Sequence, residues 1–466
     1  MDIQKAPGYT RLFDRFLYSP AFFFFCAGMT LFANTCGAEL FTYTCFVLVA
    51  LYLLLCDRDL LPVMPMAICC YIAPSKNNNP GVNDQSIFAP DQGGFYMIFL
   101  VAIMLIALAY RLIRDPELGK TAFLNCKRTL LPGMIVLCLA YFLSGVNTGH
   151  IAKVGPQNLL FAFIQSAAIL VPYILLTGFV RWDKAPINYL AWTGMCVGYV
   201  LLGELLFLYL QHNVIQDGLI KREFIITGWG HYNNIGGLLA MMIPFPFFLT
   251  GNSKRTGIFY LSALLFLCGL IFTCSRGAII FGVVTYLVSY ILSLIHSHRA
   301  RMNIGMHMFT IAVFLAVFFL FADKLVALFQ ILLGYKLDPS GRGDIYIAGW
   351  QQFLNYPIFG GTFFPVDYDL TSFATSQTFL SFFPPRWHNT VIQLLASCGI
   401  VGMAAYLFHR IQTVRLFLCR FSWNKMFAFV SMLTLLATSM LDCHFFNVGP
   451  VLFYSLMLAF VEKRLD

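Results

Sequence analysis

Residues 257–295, GIFYLSALLFLCGLIFTCSRGAIIFGVVTYLVSYILSLI, decide the fold of this chain. Two apolar runs, 257–273 and 277–295, are each close to the roughly 20 residues that a helix needs to cross a bilayer. The short turn TCSRGA, near 273–278, joins them and carries Arg276, the only charged residue of the stretch. The pattern predicts two adjacent membrane spans with one arginine held at the surface between them.

The rest of the chain has the same apolar character. Of its 466 residues, 59% are hydrophobic and 11% are charged, and the mean hydropathy is +0.76. Soluble globular proteins carry roughly 25% charged residues, so this chain would expose too much apolar surface to water. We predict an all-α integral membrane protein, a single polytopic domain over 1–466, with about fourteen transmembrane helices of roughly 20 residues each. The apolar runs lie near 18–35, 39–56, 60–73, 95–111, 129–145, 158–180, 188–210, 235–250, 257–273, 277–295, 307–327, 388–408, 426–441 and 446–461.

The basic residues predict the orientation of these spans. The net charge is +9, and most of the 30 Lys and Arg residues fall in one alternating set of loops. This bias defines the cytoplasmic side, where we expect both termini. The run 60–73 is short and holds two prolines, so it is either a tilted span or a re-entrant segment. The positive charge requires no nucleic acid partner.

One predicted exterior loop, 328–387, is much longer than the others. It is rich in Gly, Pro, Ser and aromatic residues. Loops beyond about 12–15 residues are usually functional or disordered, and this one is too aromatic for disorder. We expect it to pack on the exterior mouth of the bundle, with short helices such as 343–354.

The sequence contains no recognisable metal or cofactor motif. The 14 cysteines are scattered, mostly inside apolar runs, as expected for small buried hydrophobic residues. There is no HExxH pattern, no carboxylate cluster at metal spacing and no glycine-rich phosphate loop. We therefore predict that the protein uses neither a metal ion nor a cofactor.

Arginines gather on the predicted exterior side, where cations are otherwise scarce. Arginine has a permanent charge and a planar fork of donors that fits phosphate oxygens. Snorkelling to lipid headgroups explains any single one of them, but several at one rim favour an anionic, lipid-linked ligand such as a diphosphate. The residues are Arg222, Arg276, Arg342 and Arg386.

His388, at the exterior start of a span, is the candidate general base. Histidine suits this role because its pKa is near neutral, although a lone histidine at a span edge is more often structural. Glu204 lies within a span and must face the bundle interior or a cavity. Asp344 is either an arginine partner or a helix cap, while Asp442 and His444 follow the thirteenth run and receive no assigned role.

Four stretches in order carry a resemblance to a known family. They share an Arg, a Gly and an Asn opening a span, a Ser-Arg-Gly turn, an Arg-led loop helix closing on Pro and Gly, and a His-Asn pair before the next span. Over roughly 215–410 the chain resembles the O-antigen ligase and polymerase superfamily of bacterial envelope glycan assembly. The stretches are KREFIITGWGHYNNIGGLLAMMIPF (221–245), TCSRGAIIFGVV (273–284), SGRGDIYIAGWQQFLNYPIFGG (340–361) and RWHNTVIQLLASCGIVGMAAYLF (386–408).

The resemblance implies a glycosyltransferase of the bacterial cytoplasmic membrane. Such enzymes move a glycan from an undecaprenyl-diphosphate carrier to an acceptor hydroxyl at the outer face, and need no nucleotide or metal. Carried onto this chain, Arg222 and Arg276 would bind the diphosphate, and Arg342 would assist from the long loop. His388 would deprotonate or position the acceptor in an inverting transfer. Supporting roles would fall to Asn234, Arg386, Asn389, Asp344 and Glu204.

Polymerase and ligase both remain open, with a slight preference for polymerase. The acceptor decides between them, because a polymerase extends a second carrier-linked glycan and a ligase uses a lipid A core. A polysaccharide chain-length regulator is a further conceivable partner. The main alternative class is a lipid-linked oligosaccharide transporter or flippase, followed by a scaffold. Transporters often show internal repeats and charges near mid-membrane, whereas these charges gather at the exterior edge.

Overall fold

The structure is a bundle of helices, numbered below in chain order as α1 to α18. Short irregular connections join most of them, and two small β-hairpins interrupt the series before α10. The computed structural model describes residues 8–72, 94–182, 185–211, 214–216, 219–220, 224–227, 230–251, 256–296, 300–320, 342–364, 386–419 and 422–464.

The first half of the chain contains α1 to α9. Local sequence signals set several ends of these helices: Pro20 opens α2, and Gly37 closes it in a left-handed conformation with φ 66°. A short helix, α6, runs on into a wide turn at Lys120–Asn125. The helices are α1 (Gly8–Leu17), α2 (Pro20–Cys36), α3 (Glu39–Leu55), α4 (Val63–Ile72), α5 (Gly94–Arg114), α6 (Pro116–Gly119), α7 (Leu131–Phe142), α8 (Ile151–Phe179) and α9 (Tyr189–Gln211).

The second half begins with two antiparallel hairpins, β1 with β2 and β3 with β4. A 3₁₀ turn, His444–Phe446, connects the last two helices. The elements are β1 (Ile215–Gln216), β2 (Leu219–Ile220), β3 (Ile226–Thr227), β4 (Gly230–His231), α10 (Tyr232–Met242), α11 (Pro244–Gly251), α12 (Thr256–Phe272), α13 (Arg276–His296), α14 (Ala300–Leu320), α15 (Arg342–Asn355), α16 (Thr390–Cys419), α17 (Trp423–Thr438) and α18 (Val448–Lys463).

The helices are long and apolar enough to identify a multi-pass membrane protein. Among the described residues, five segments of at least 18 residues qualify as candidate spans: α8, α9, α10 together with α11, α13 and α16. Four shorter apolar helices, α2, α3, α7 and α12, accompany them. The helical membrane fold predicted from composition is therefore confirmed, while the count of fourteen spans stays a prediction.

Helices α10 and α11 form the centre of the second half of the bundle. Residues 233–250 are buried throughout, since α9, α12, α13 and α17 surround them. A helix that is hydrophobic on every side is suited to such a buried position. The predicted span 235–250 is present as one candidate span, Tyr232–Gly251, and its helix is interrupted at Ile243. Pro244 cannot donate to the preceding turn and instead opens α11.

Other boundaries also differ from the sequence prediction. Helix α8 begins at Ile151, ahead of the predicted apolar run 158–180, and α16 continues to Cys419, beyond the predicted run 388–408. The helix expected at 343–354 is present as α15. The rest of the long loop lies outside the described residues at 328–341 and 365–385.

Candidate active site

The candidate site is built around the start of α16. Asn389 is the residue before the helix, and its Oδ1 accepts hydrogen bonds from the backbone N–H groups of Val391 (2.8 Å) and Ile392 (3.1 Å). Its Nδ2 donates to the Met440 carbonyl at 2.8 Å. A side-chain cap of this kind stabilises a helix end by about 1 kcal/mol. Asn389 therefore both starts α16 and ties it to the connection that follows α17, which fixes the position of the neighbouring His388.

The backbone of His388 is held in an unusual conformation. Its φ is +50°, in the left-handed region that costs a side-chain-bearing residue roughly 1–2 kcal/mol. The Tyr346 hydroxyl, from α15, donates to the His388 carbonyl at 3.2 Å. The preceding Trp387 is fully buried, and a Cβ on Gly349 of α15 would lie 2.9 Å from its ring. Such held conformations concentrate at functional sites.

The side chain of His388 faces a buried carboxylate. Its Nδ1 lies 3.4 Å from Oδ1 of Asp442, which is almost fully buried, while His388 is partly exposed. The two groups are close enough for an ion pair, but Nδ1 is not aligned for a hydrogen bond. Catalytic contacts often align only when substrate is bound. Asp442 Oδ1 also accepts from the Cys443 N–H at 2.7 Å, and the Thr390 N–H donates to the Ser439 carbonyl at 2.9 Å.

Leu441 contacts one predicted arginine, Arg342, and the residue that follows another, Arg276. Arg342, the first residue of α15, donates from Nη1 to the Leu441 carbonyl at 2.8 Å. On the other side, a Cβ on Gly277 would lie 2.3 Å from Leu441 Cδ1. Gly277 directly follows Arg276, which opens α13 and is exposed. Leu441 is thus packed between the start of α15, which carries Arg342, and the start of α13, which carries Arg276.

Helix α10 is hydrogen-bonded to two connections of the site, the start of α18 and the turn before α13. Asn234 accepts a hydrogen bond from Asn447 Nδ2 at 2.8 Å, which links α10 to the start of α18. The neighbouring Asn233 accepts from Ser275 Oγ at 2.9 Å, which links α10 to the turn before α13. A Cβ on Gly236 would come within 3.0 Å of Ser275. The sequence NNIGG therefore brings two turns of the site against one helix.

His444 is a buried, neutral part of this support. Burial lowers its pKa to about 4, and the nearby charges of Arg386 and Arg342 act in the same direction, while Asp442 opposes them. Its Nε2 would lie 2.6 Å from a Cβ on Gly237, so it packs directly on α10. Arg386 and Arg342 are therefore close enough to His444 for their charges to act on it.

A glycine contact fixes α15 against α16. Helix α16 is broken at Gly399, which has φ +63°, and a Cβ there would lie 2.4 Å from the Ile358 carbonyl oxygen. The N–H of Ile400 donates to the Pro357 carbonyl at 2.8 Å, so the turn after α15 satisfies the freed backbone. Gly360, with φ +72°, approaches the backbone of residues 397–398 in return. Unpaired backbone groups are costly at membrane depth, and this pairing removes that cost.

Three predicted residues are not among these contacts. Arg222 lies outside the described residues. Glu204 is buried in α9 and accepts a hydrogen bond from Asn34 of α2, in the first half of the bundle. Asp344 is exposed in the first turn of α15, where a carboxylate interacts favourably with the helix dipole. Of the two alternatives for Asp344, its position fits the helix-end role.

Sequence reasoning gave no role to Asp442, which the structure places against His388. The available signal was that Asp442 is an acidic residue on the same predicted side of the membrane as His388. That signal gives no distance, because the packing of two separate spans cannot be derived from their sequences.

The assembled groups suit acid–base chemistry on an anionic substrate. A partly exposed imidazole faces a buried carboxylate, and Arg342 donates to the carbonyl of Leu441, the residue before that carboxylate. Within the described stretches, no group of three or more His, Cys, Asp or Glu residues is arranged to hold a metal ion. The arrangement can accept a proton at His388 and attract a phosphate-bearing ligand.

Fold and site together define a multi-pass membrane protein with a cationic, histidine-containing site at one end of its helical bundle. A model of the O-antigen ligase family matches residues 261–407, a range that includes Arg276, Arg342 and His388. The match supports the resemblance of this region to the O-antigen ligase and polymerase superfamily. The match also supports a role of the surface-polysaccharide ligase or polymerase type. No curated protein sequence matches the chain.

Proposed function

We propose that this protein is a membrane glycosyltransferase that moves a glycan from an undecaprenyl-diphosphate carrier to an acceptor hydroxyl. The observation that supports this most strongly is the meeting of His388, Asp442 and Arg342 beside the Arg276 turn. The predicted charge bias puts this end of the bundle at the outer face of the bacterial cytoplasmic membrane, with both termini on the cytoplasmic side.

The arginines act on the donor. Arg276 and Arg342 contact the diphosphate oxygens, with Arg386 adding positive charge and Arg222 contributing from the α9–α10 connection. Their fixed charges stabilise the negative charge that develops as the bond between the sugar and the diphosphate breaks. Preorganised donors of this kind contribute about 3–4 kcal/mol each, so the reaction proceeds without a metal ion.

His388 acts on the acceptor. It removes the proton from the acceptor hydroxyl while that oxygen attacks the anomeric carbon from the face opposite the diphosphate. The new glycosidic bond forms as the diphosphate departs with the bonding electron pair, which inverts the configuration. Asp442 stabilises the imidazolium that results and orients the ring, so that Nε2 faces the acceptor. Within this scheme we favour a polymerase, whose acceptor is a second carrier-linked glycan.

The test is the surface glycan profile of a deletion strain complemented with variants. With wild-type protein, long surface polysaccharide is restored. With His388→Ala, we expect a loss of two to three orders of magnitude in product, the size of one such contact, at equal membrane abundance by immunoblot. A polymerase defect leaves single repeats on the surface, whereas a ligase defect accumulates long carrier-linked chains. Normal polysaccharide from His388→Ala cells contradicts the proposed base.

A further inference from the structure

A buried arginine, Arg410, lies about two thirds of the way along α16. Arg410 is only 8% exposed. Its guanidinium carbon lies over three aromatic rings, 4.6 Å from the centroid of Tyr406, 4.3 Å from Phe445 and 4.9 Å from Tyr454. Nη1 donates to the Tyr454 hydroxyl at 2.6 Å. The charge is therefore enclosed by an aromatic box.

The box replaces the usual counter-ion. In the part of the chain that the structure describes, Arg410 forms no salt bridge, and its Nε and Nη2 have no hydrogen-bond partner. A charge within a membrane protein is costly unless it is paired, and ring faces compensate it most when water is excluded. The interaction with these rings is consequently strong, and each ring is held in place by it.

One of the three rings belongs to the connection that carries Asp442. Phe445 follows Asp442 by three residues, in the 3₁₀ turn His444–Phe446. Neighbouring contacts hold the same turn, since Gln165 of α8 donates to the Phe446 carbonyl at 2.8 Å and His444 packs on α10. A residue that fixes Phe445 also limits the positions open to Asp442.

We infer that Arg410 is a positioning residue for glycan transfer, which sets the distance between Asp442 and His388 by holding Phe445. This inference rests on the proposed function, because it needs His388 to act as the base. Arg410 itself touches no substrate. The aromatic box transmits its effect through one turn of chain, from the bundle interior to the site.

The experiment uses the full-length protein in lipid nanodiscs and the lipid-linked glycan extracted from a deletion strain. We expect Arg410→Met to lower kcat by roughly ten- to a hundredfold, the cost of misplacing a catalytic group by about 1 Å, and to leave KM for the donor nearly unchanged. Arg410→Lys keeps the charge and should recover part of the rate. Phe445→Leu should reproduce the defect with Arg410 intact, which covers the case that Arg410→Met fails to fold.

The split between kcat and KM separates positioning from general damage. Losing the contact between Asp442 and His388 slows the chemical step and leaves donor binding intact, so kcat falls while KM for the donor stays nearly unchanged. We expect the same split in Asp442→Asn and in Arg410→Met.

A double variant completes the test. Asp442→Asn with Arg410→Met should be no slower than Asp442→Asn alone, since both changes remove the same contact. The matched control is Phe453→Leu, a fully buried ring that packs on Phe245 and is not one of the three rings around Arg410, and it should leave kcat close to the wild-type value. Multiplying defects, or wild-type kinetics in Arg410→Met and Phe445→Leu, would overturn the inference. Unchanged transfer in His388→Ala would instead overturn the proposed function.

Discussion

Two helical segments of the second half are broken, and they are broken in different ways. At Gly399 the gap in α16 is filled from outside, because carbonyls of Pro357 and Ile358 accept the N–H groups of Ile400 and Val401. At Ile243 the break between α10 and α11 results from the proline that follows it, and the Ile243 N–H returns to its own helix at 3.4 Å. The Gly399 break joins α16 to the turn after α15, whereas the Ile243 break only changes the direction of one helical segment.

This difference indicates which segments must be held at a fixed distance from each other. The Gly399 break attaches the turn after α15 to α16, and α15 carries Arg342 while α16 starts beside His388. The pairing therefore sets the distance between Arg342 and His388. The Ile243 break lies in the buried centre of the bundle, where it bends a packed helix without attaching any segment of the site.

The largest effect is expected from Gly399→Ala. A methyl group there would lie 2.4 Å from the Ile358 oxygen, at a φ of +63° that itself costs about 1–2 kcal/mol. Transfer should fall by about a hundredfold or more, and the melting temperature in detergent should drop. Gly155→Ala is the matched control, since a Cβ there meets nothing within 4 Å. Equal melting temperatures and equal activities of the two variants would show that the Gly399 break does not hold α15 and α16 in a fixed arrangement.

An intermediate effect is expected from Arg342→Gln. This change removes the charge that α15 presents, together with a hydrogen bond to the Leu441 carbonyl. Hydrogen bonds to charged groups contribute about 1.5–3 kcal/mol, so the donor kcat/KM should decrease by at least roughly tenfold. The control is Asp344→Asn, on the exposed side of the same helix, for which near-normal kinetics are expected.

The smallest effect is expected from Pro244→Ala. Alanine restores the N–H that the proline lacks, so α10 and α11 can approach a continuous helix at little cost. Activity should stay within about threefold of wild type and stability within about 1 kcal/mol, because the site lies beyond the other end of α10. A loss comparable to that of Gly399→Ala would remove the distinction between the two breaks.

The sequence predicts the positions of the helices well and their mutual contacts poorly. Long apolar runs and an amphipathic loop segment locate α13 and α15 to within a residue or two. The break at Gly399 is invisible in the sequence, because a lone glycine in an apolar run also fits a continuous helix. The structural role of Gly399 is seen only from its contact with the Pro357 and Ile358 carbonyls, which are distant in the sequence.

The same limit applies to the site. His388 and Arg342 are recognisable from residue type and predicted side, but their link through Leu441 is not, since a backbone carbonyl has no sequence signature. Asp442 carries no local motif, and its role depends on how α16 and α17 pack. Arg410 looks like one of many cytoplasmic basic residues in the sequence, yet the structure buries it among aromatic rings.

The central claim is that the Arg276 turn and the Asp442 connection meet, and a cysteine pair tests this directly. A Cβ on Gly277 lies 3.3 Å from Leu441, close to the Cβ separation that a disulfide requires. We predict that Gly277→Cys with Leu441→Cys forms a disulfide under mild oxidation, seen as linked fragments after cleavage between α13 and α17. Gly277→Cys with Leu433→Cys, on the exposed side of α17, should stay unlinked. Failure of the first pair to link, or equal linking of both, would contradict the account.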